Sequence, residues 1–154
     1  MGIRETERVV TDGDRMHWEK GWLWETVLSR AFGGKAAIRV GEVEMDGVVG
    51  SPDGIGFDTS GNAYVEEYKC TSMGVGKTPA NMWRWMMQAK GYCRMVGATR
   101  CIFRVLHLTF PPTYRVWELV FTEEELAENW AAIMAQAQVM RREGVDGDHG
   151  NKAV

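Results

Sequence analysis

A chain of 154 residues that is 45% apolar, 25% charged and 10% aromatic has the length of one domain and is too apolar for intrinsic disorder. It holds no run near the roughly 18 apolar residues of a membrane span. Its first residues, MGIRETERVVTDGD, lack the apolar stretch of a secretory signal. The net charge of −3 speaks against a polyanion partner only until its distribution is read: no Asp or Glu lies between Tyr68 and Trp117, and eight Lys and Arg do.

Arg15–Phe32 has helical spacing, with Met16, Leu23, Val27, Leu28, Ala31 and Phe32 on one broad arc. Asp14 is the expected N-cap and Gly33-Gly34 the stop. Ala36–Val49 and Ile55–Asp58 read as strands, broken by turn residues at Asp46-Gly47 and at Gly50–Gly54. Thr59–Asn62 is a tight turn, so Ala63–Cys70 should form a hairpin with the strand before it. Ser72–Lys77 is a glycine-rich loop, and Thr78-Pro79 opens a helix that runs to Val96 and stops at Gly97. Thr99–Thr109 and Tyr114–Phe121 are strands separated by Pro111-Pro112. Thr122 and Glu125 form a capping box for a last helix reaching Arg142. The order α-β-β-β-α-β-β-α makes one domain over residues 1–143, and Gly144–Val154, without apolar periodicity, is expected to be a disordered tail.

The chemistry concentrates in Gly50–Cys70. Asp53 sits in a Pro-Asp-Gly turn, and Glu67-Tyr68-Lys69 follows in the next strand. Strand alternation points Glu67 and Lys69 to one face and Glu66 and Tyr68 to the other, so replacing Glu66 should be mild. A hairpin of this length brings Asp53 beside Glu67. Two carboxylates suit Mg²⁺, which shares its remaining positions with waters and phosphate oxygens, and a neighbouring lysine can orient the attacking water or take its proton. Each half of this pattern is common by chance; the pair at hairpin spacing is less so. Asp46 and Asp58 read as turn or edge residues, and His107 as a structural histidine. Trp83 and Trp85 mark packing positions, with base stacking as the other use. Cys70, Cys93 and Cys101 include no C-x-x-C pair, which fits a reducing cytoplasm and argues against a zinc knuckle.

Pro52-Asp53 with Glu67-Tyr68-Lys69 resembles the signature of the PD-(D/E)XK nuclease superfamily, and the text around them is similar to phage recombination exonucleases of lambda type. Gln88-Ala89-Lys90-Gly91-Tyr92 resembles the Q-x-x-x-Y motif of the RecB-type and lambda-type branch. Helical spacing puts Arg84 on the face of Gln88 and Tyr92. Gly21-Trp22-Leu23-Trp24-Glu25 resembles that branch's G-x-x-x-E, with Glu19 as the competing carboxylate. The resemblance covers about residues 15–110. It implies a restriction-endonuclease-like α/β core, a central mixed sheet flanked by helices, and Mg²⁺-dependent DNA cleavage with Mn²⁺ as a substitute.

The implied ligands are Glu25, Asp53, Glu67 and the Tyr68 carbonyl. Lys69 would position or deprotonate water, and Gln88 and Tyr92 would support the site and its substrate. Lys77, Arg84, Lys90 and Arg94 would bind the DNA backbone. Three cysteines do not supply the four ligands of the iron–sulphur cluster that some relatives carry. An exonuclease or end-processing enzyme of phage recombination, replication or repair is the leading expectation, in a phage or bacterial cytoplasm. A structure-selective or restriction-type endonuclease is the nearest rival. A non-catalytic nucleic-acid-binding module, or an assembly protein that docks a recombinase or replication partner, is the reading from another class.

Overall fold

The computed structural model describes residues 11–32, 37–38 and 41–142. The Gly33-Gly34 stop and the Gly144–Val154 tail lie outside those residues. Helix α1 spans Asp12–Phe32 and starts earlier than the apolar spacing indicates. Thr11, not Asp14, caps it: Thr11 Oγ1 accepts from the Asp14 amide at 3.2 Å, and Asp14 Oδ2 accepts from the Thr11 amide at 3.0 Å. Asp14 is therefore the reciprocal partner three residues into the capping box.

The expected long strand from Ala36 is broken. β1 is Ala37–Ile38, and β2 (Val43–Met45) pairs with β3 (Val48–Gly50) as a separate hairpin. Asp46 and Gly47 turn that hairpin with positive φ angles of 54° and 74°, which a two-residue type I′ connection requires. β4 (Gly54–Phe57) and β5 (Ala63–Thr71) form the predicted antiparallel hairpin. Its turn is closed by Asp58, whose Oδ1 accepts from the amides of Ser60 and Asn62.

A 3₁₀ turn at Pro79–Asn81 precedes helix α2, Trp83–Val96, which Gly97 ends in the left-handed conformation. β6 (Arg100–His107), β7 (Thr113–Val120) and α3 (Glu123–Arg142) follow in the expected order. The main sheet is ordered β1-β4-β5-β6-β7. Only β5 and β6 run parallel in it; α2 makes the crossover between them.

The sheet divides the molecule into layers. Val65, Cys101, Phe103 and Val105 on one face meet Ala89 and Cys93 of α2, with Phe121 and Leu126 completing the buried cluster. The opposite face is covered by α1, where Trp24 meets Tyr114 of β7 edge to face. Of the predicted α1 arc, Leu28 is buried, whereas Met16, Leu23 and Val27 are exposed. β5 is the central strand, buried on both faces over Tyr64–Glu67. Cys93 and Cys101 are buried thiols that act as small core residues, and Cys70 is half-buried. No helix among the described residues is long and apolar enough to cross a membrane.

Candidate active site

The β4–β5 register pairs Gly54 with Glu66, so Asp53 enters the sheet beside Glu67. Asp53 Oδ2 accepts a hydrogen bond from the Tyr68 amide at 2.7 Å. The turn carboxylate is thereby fixed to the strand that carries the other site residues, 15 positions along the chain. Glu67 is almost fully buried, and its Oε2 lies 2.6 Å from Lys69 Nζ. The same ammonium donates to Gln88 Oε1 at 3.1 Å, and Gln88 Nε2 donates to the Tyr92 hydroxyl at 3.0 Å.

A continuous polar line thus runs from β5 to α2: Glu67, Lys69, Gln88, Tyr92. Tyr92 closes it by bonding the backbone at Ser51, two residues before Asp53. Gly50 makes the closure possible: a Cβ there would stand 2.6 Å from Tyr92 Cε1.

The charges follow from these contacts. Burial alone would lower the pKa of Lys69, but the Glu67 charge and hydrogen bond, with Asp53 beyond, outweigh it and hold the group above its ordinary value. Lys69 is therefore an ammonium donor in this arrangement. Burial pushes the Tyr92 phenol up, so it stays protonated at neutral pH.

The donor set fits a hard, hydrated cation. Asp53, Glu67 and the Tyr68 carbonyl supply oxygen only. Among the described residues no group of three or more His, Cys, Asp or Glu is placed to hold a metal ion. Oxygen donors of this kind suit Mg²⁺, which keeps waters and phosphate oxygens in its remaining positions. Glu25 lies on α1, and its side chain is outside what the structure describes; Glu19 on the same helix is exposed.

The four residues expected on the DNA backbone separate into two pairs. Lys77 is exposed on the loop before α2, and Arg84 is exposed at the first turn of α2, its guanidinium 5.4 Å from the centre of the Trp83 ring. Lys90 and Arg94 do not belong with them. Lys90 Nζ is 3.3 Å from Glu125 and lies over the Phe121 ring, and Arg94 pairs with Glu123 at 3.7 Å. They lie on the side of α2 that meets the acidic start of α3, so each faces a carboxylate as well as solvent. Trp85 stacks on Phe103 inside the core, whereas Trp83 is 67% exposed and remains accessible to a base. His107 is buried, its Nδ1 2.9 Å from the Met73 carbonyl oxygen, in keeping with a structural role.

Sequence reasoning missed the network behind the site. Arg104 of β6 holds Glu66 with two bonds, Nη2 to Oε1 at 2.8 Å and Nε to Oε2 at 3.1 Å. The Tyr68 hydroxyl donates to the same carboxylate at 2.7 Å, and Arg104 Nη1 donates to the Tyr114 hydroxyl at 3.2 Å. Glu66 is fully buried, which the alternation of β5 alone does not indicate. The available signal was an arginine alternating with apolar residues on a strand that reads as central. The hydrogen bonds to Glu66 and Tyr114 raise the Arg104 pKa beyond its ordinary value, against the opposing effect of burial.

No family model matches the chain, and no curated protein does. Solved structures do resemble it. The crystal structure of SSO0001 is 19% identical over 82% of this chain, with a TM-score of 0.50. This chain spans 63% of that protein's length, less than two thirds. An alkaline exonuclease (LHK-Exo) from Laribacter hongkongensis matches at 19% identity over 83% of this chain and 74% of its own, TM-score 0.49. Its complex with dAMP matches at 19% identity over 82% and 73%, with a TM-score of 0.49. The likeness to SSO0001 is one of fold, a mixed sheet flanked by helices.

Proposed function

We propose that the chain is a metal-dependent deoxyribonuclease of the PD-(D/E)XK type, acting at DNA ends in the manner of the lambda-type exonuclease branch. The observation that carries this reading is the set Glu67, Lys69, Gln88 and Tyr92, joined from β5 to α2 by hydrogen bonds of 2.6–3.1 Å, with Asp53 tied to the same strand through the Tyr68 amide. A surface pair of turn and strand charges would have no reason to be linked through a buried carboxylate to two side chains of a crossover helix.

Asp53, Glu67 and the Tyr68 carbonyl, with Glu25 as the further carboxylate on α1, would hold Mg²⁺ or Mn²⁺. When bound there, such an ion would acidify a water and offset charge on the scissile phosphate. Lys69, held between Glu67 and Gln88, donates to the attacking water or to a phosphate oxygen as negative charge builds there. Gln88 fixes the ammonium's direction, and Tyr92 anchors Gln88 to the Ser51 backbone. Lys77, Arg84 and Trp83, all exposed on the loop before α2 and its first turn, are suited to phosphates and to an unpaired base. The substrate and partner is thus DNA, in recombination, replication or repair.

The test uses linear and covalently closed duplexes of the same sequence, with Mg²⁺, Mn²⁺ or EDTA. Metal-dependent loss of the linear form alone is expected. Efficient cutting of the closed circle would favour the endonuclease reading. No cleavage, with binding retained, would favour the non-catalytic module.

A further inference from the structure

Beside the polar line lies a groove that none of its chemistry uses. It is walled by Val48 of the β2–β3 hairpin, Met87 and Met95 of α2, and Trp130 and Ile133 of α3. Gln88 and Tyr92 line it as well. Its volume is about 240 Å³, below the roughly 300–1,000 Å³ of pockets that enclose a drug-sized ligand, so it suits one planar ring system.

Resting on the nuclease reading above, we propose that this groove receives the nucleobase of the nucleotide whose phosphate is attacked. Three features carry it. Gln88 is shared: it bonds Lys69 and also lines the groove, so a ligand anchored at Lys69 by its phosphate has the groove one side chain away. The walls are apolar and carry no ionised side chain, and two of them are thioethers, which pack well against aromatic edges. The architecture holds the groove open, because α3 grips the far wall at the hairpin turn. Trp130 Nε1 donates to Asp46 Oδ2 at 2.9 Å, and Arg141 Nη2 donates to the Gly47 carbonyl at 3.1 Å. With Gln88 already committed to Lys69 and Tyr92, little remains to read a base edge. The groove therefore takes any base by contact area rather than by hydrogen-bond pattern.

The test is calorimetric binding to the full chain with Mg²⁺, using dAMP, dTMP and 2-deoxyribose 5-phosphate. The wild type should bind both nucleotides at least tenfold more tightly than the sugar phosphate, with less than threefold between the two bases. Met87→Trp fills the groove from a partly exposed position and should bring all three affinities together. Met87→Ala opens the wall instead and should reduce the preference without the steric risk. Linear-duplex cleavage is measured alongside. Equal binding of all three ligands by the wild type, with cleavage intact, would overturn the base groove and leave the nuclease reading standing. A base preference unchanged in both variants would also overturn it. No cleavage of any DNA would overturn the nuclease reading itself.

Discussion

Lys69 and Glu66 lie within three residues on β5 yet should respond to substitution in opposite ways. Lys69→Ala removes a donor aimed into the site, and cleavage should fall roughly 10²–10³-fold with melting little changed, as for removal of one transition-state donor. A wild-type rate in this variant, measured on linear duplex, would exclude the assigned site. Glu66→Ala should act on the fold. It leaves the partly buried Arg104 guanidinium without its bidentate partner and the Tyr68 hydroxyl without its acceptor, a loss of about 3 kcal/mol that urea unfolding would resolve. Replacing Glu66 and Arg104 together by methionine should recover most of that loss, because a buried pair exchanged for apolar groups is often close to neutral. The alternation of β5 told which face each side chain takes. It could not tell that both faces are covered, since that depends on α1 and α2 packing on opposite sides of the sheet.

At the scale of elements, the long helices and strands were legible because their periodicity and punctuation agree. The first sheet segments were legible only at the Asp46-Gly47 turn, because β1 is two residues long and β2–β3 forms a detached hairpin that rests on α2 and whose turn is bonded by α3, some 84 residues on. The capping box of α3 was readable as text and exists as geometry. The Glu125 amide donates to Thr122 Oγ1 at 3.1 Å, and Glu125 Oε2 accepts from the Thr122 amide at 2.9 Å. Thr122→Ala should therefore cost about 1 kcal/mol in denaturant unfolding. The Thr122 amide first, and Lys90 second, hold the Glu125 carboxyl below its ordinary value. A depressed carboxyl contributes stability above its unfolded-state pKa and loses it as the pH falls through the folded value. Glu125→Gln should then flatten the acid side of the stability profile while leaving its neutral side parallel to wild type.

Over the whole molecule, the acid-free half of the chain does not become one basic surface. Lys90 and Arg94 are turned to the acidic first turn of α3, and Arg100 pairs with Glu118 and Asp58. Charge counted along the sequence could not show which cations would pair with acids of α3, β7 and the β4–β5 turn. Lys77→Ala and Arg84→Ala should each weaken DNA binding and lower the salt slope by about one unit, the share of one phosphate no longer neutralised. Lys90→Ala and Arg94→Ala should leave that slope unchanged and instead lower the melting temperature slightly. Fluorescence titrations at several salt concentrations separate the two pairs, and a reduced slope in Lys90→Ala would restore it to the DNA surface.

Two adjacent carboxylates, Glu66 and Glu67, stand back to back in the centre of the sheet, and this constrains the order in which the chain can fold. Lys69 is local and can neutralise Glu67 early. Glu66 has to wait for Arg104, 38 residues away, across a parallel pairing that requires α2 to be in place. Since folding transition states bury most of the native surface, with a mean near 0.7 of it, β5 should not reach that point with Glu66 uncompensated. Non-local closure of β6 onto β5 is then part of the rate-limiting step, and the domain should fold slowly for its size. In chevron measurements, Arg104→Met should slow refolding more than it speeds unfolding, with a φ-value of about 0.5–0.8, whereas Thr122→Ala at the later α3 cap should act mainly on unfolding.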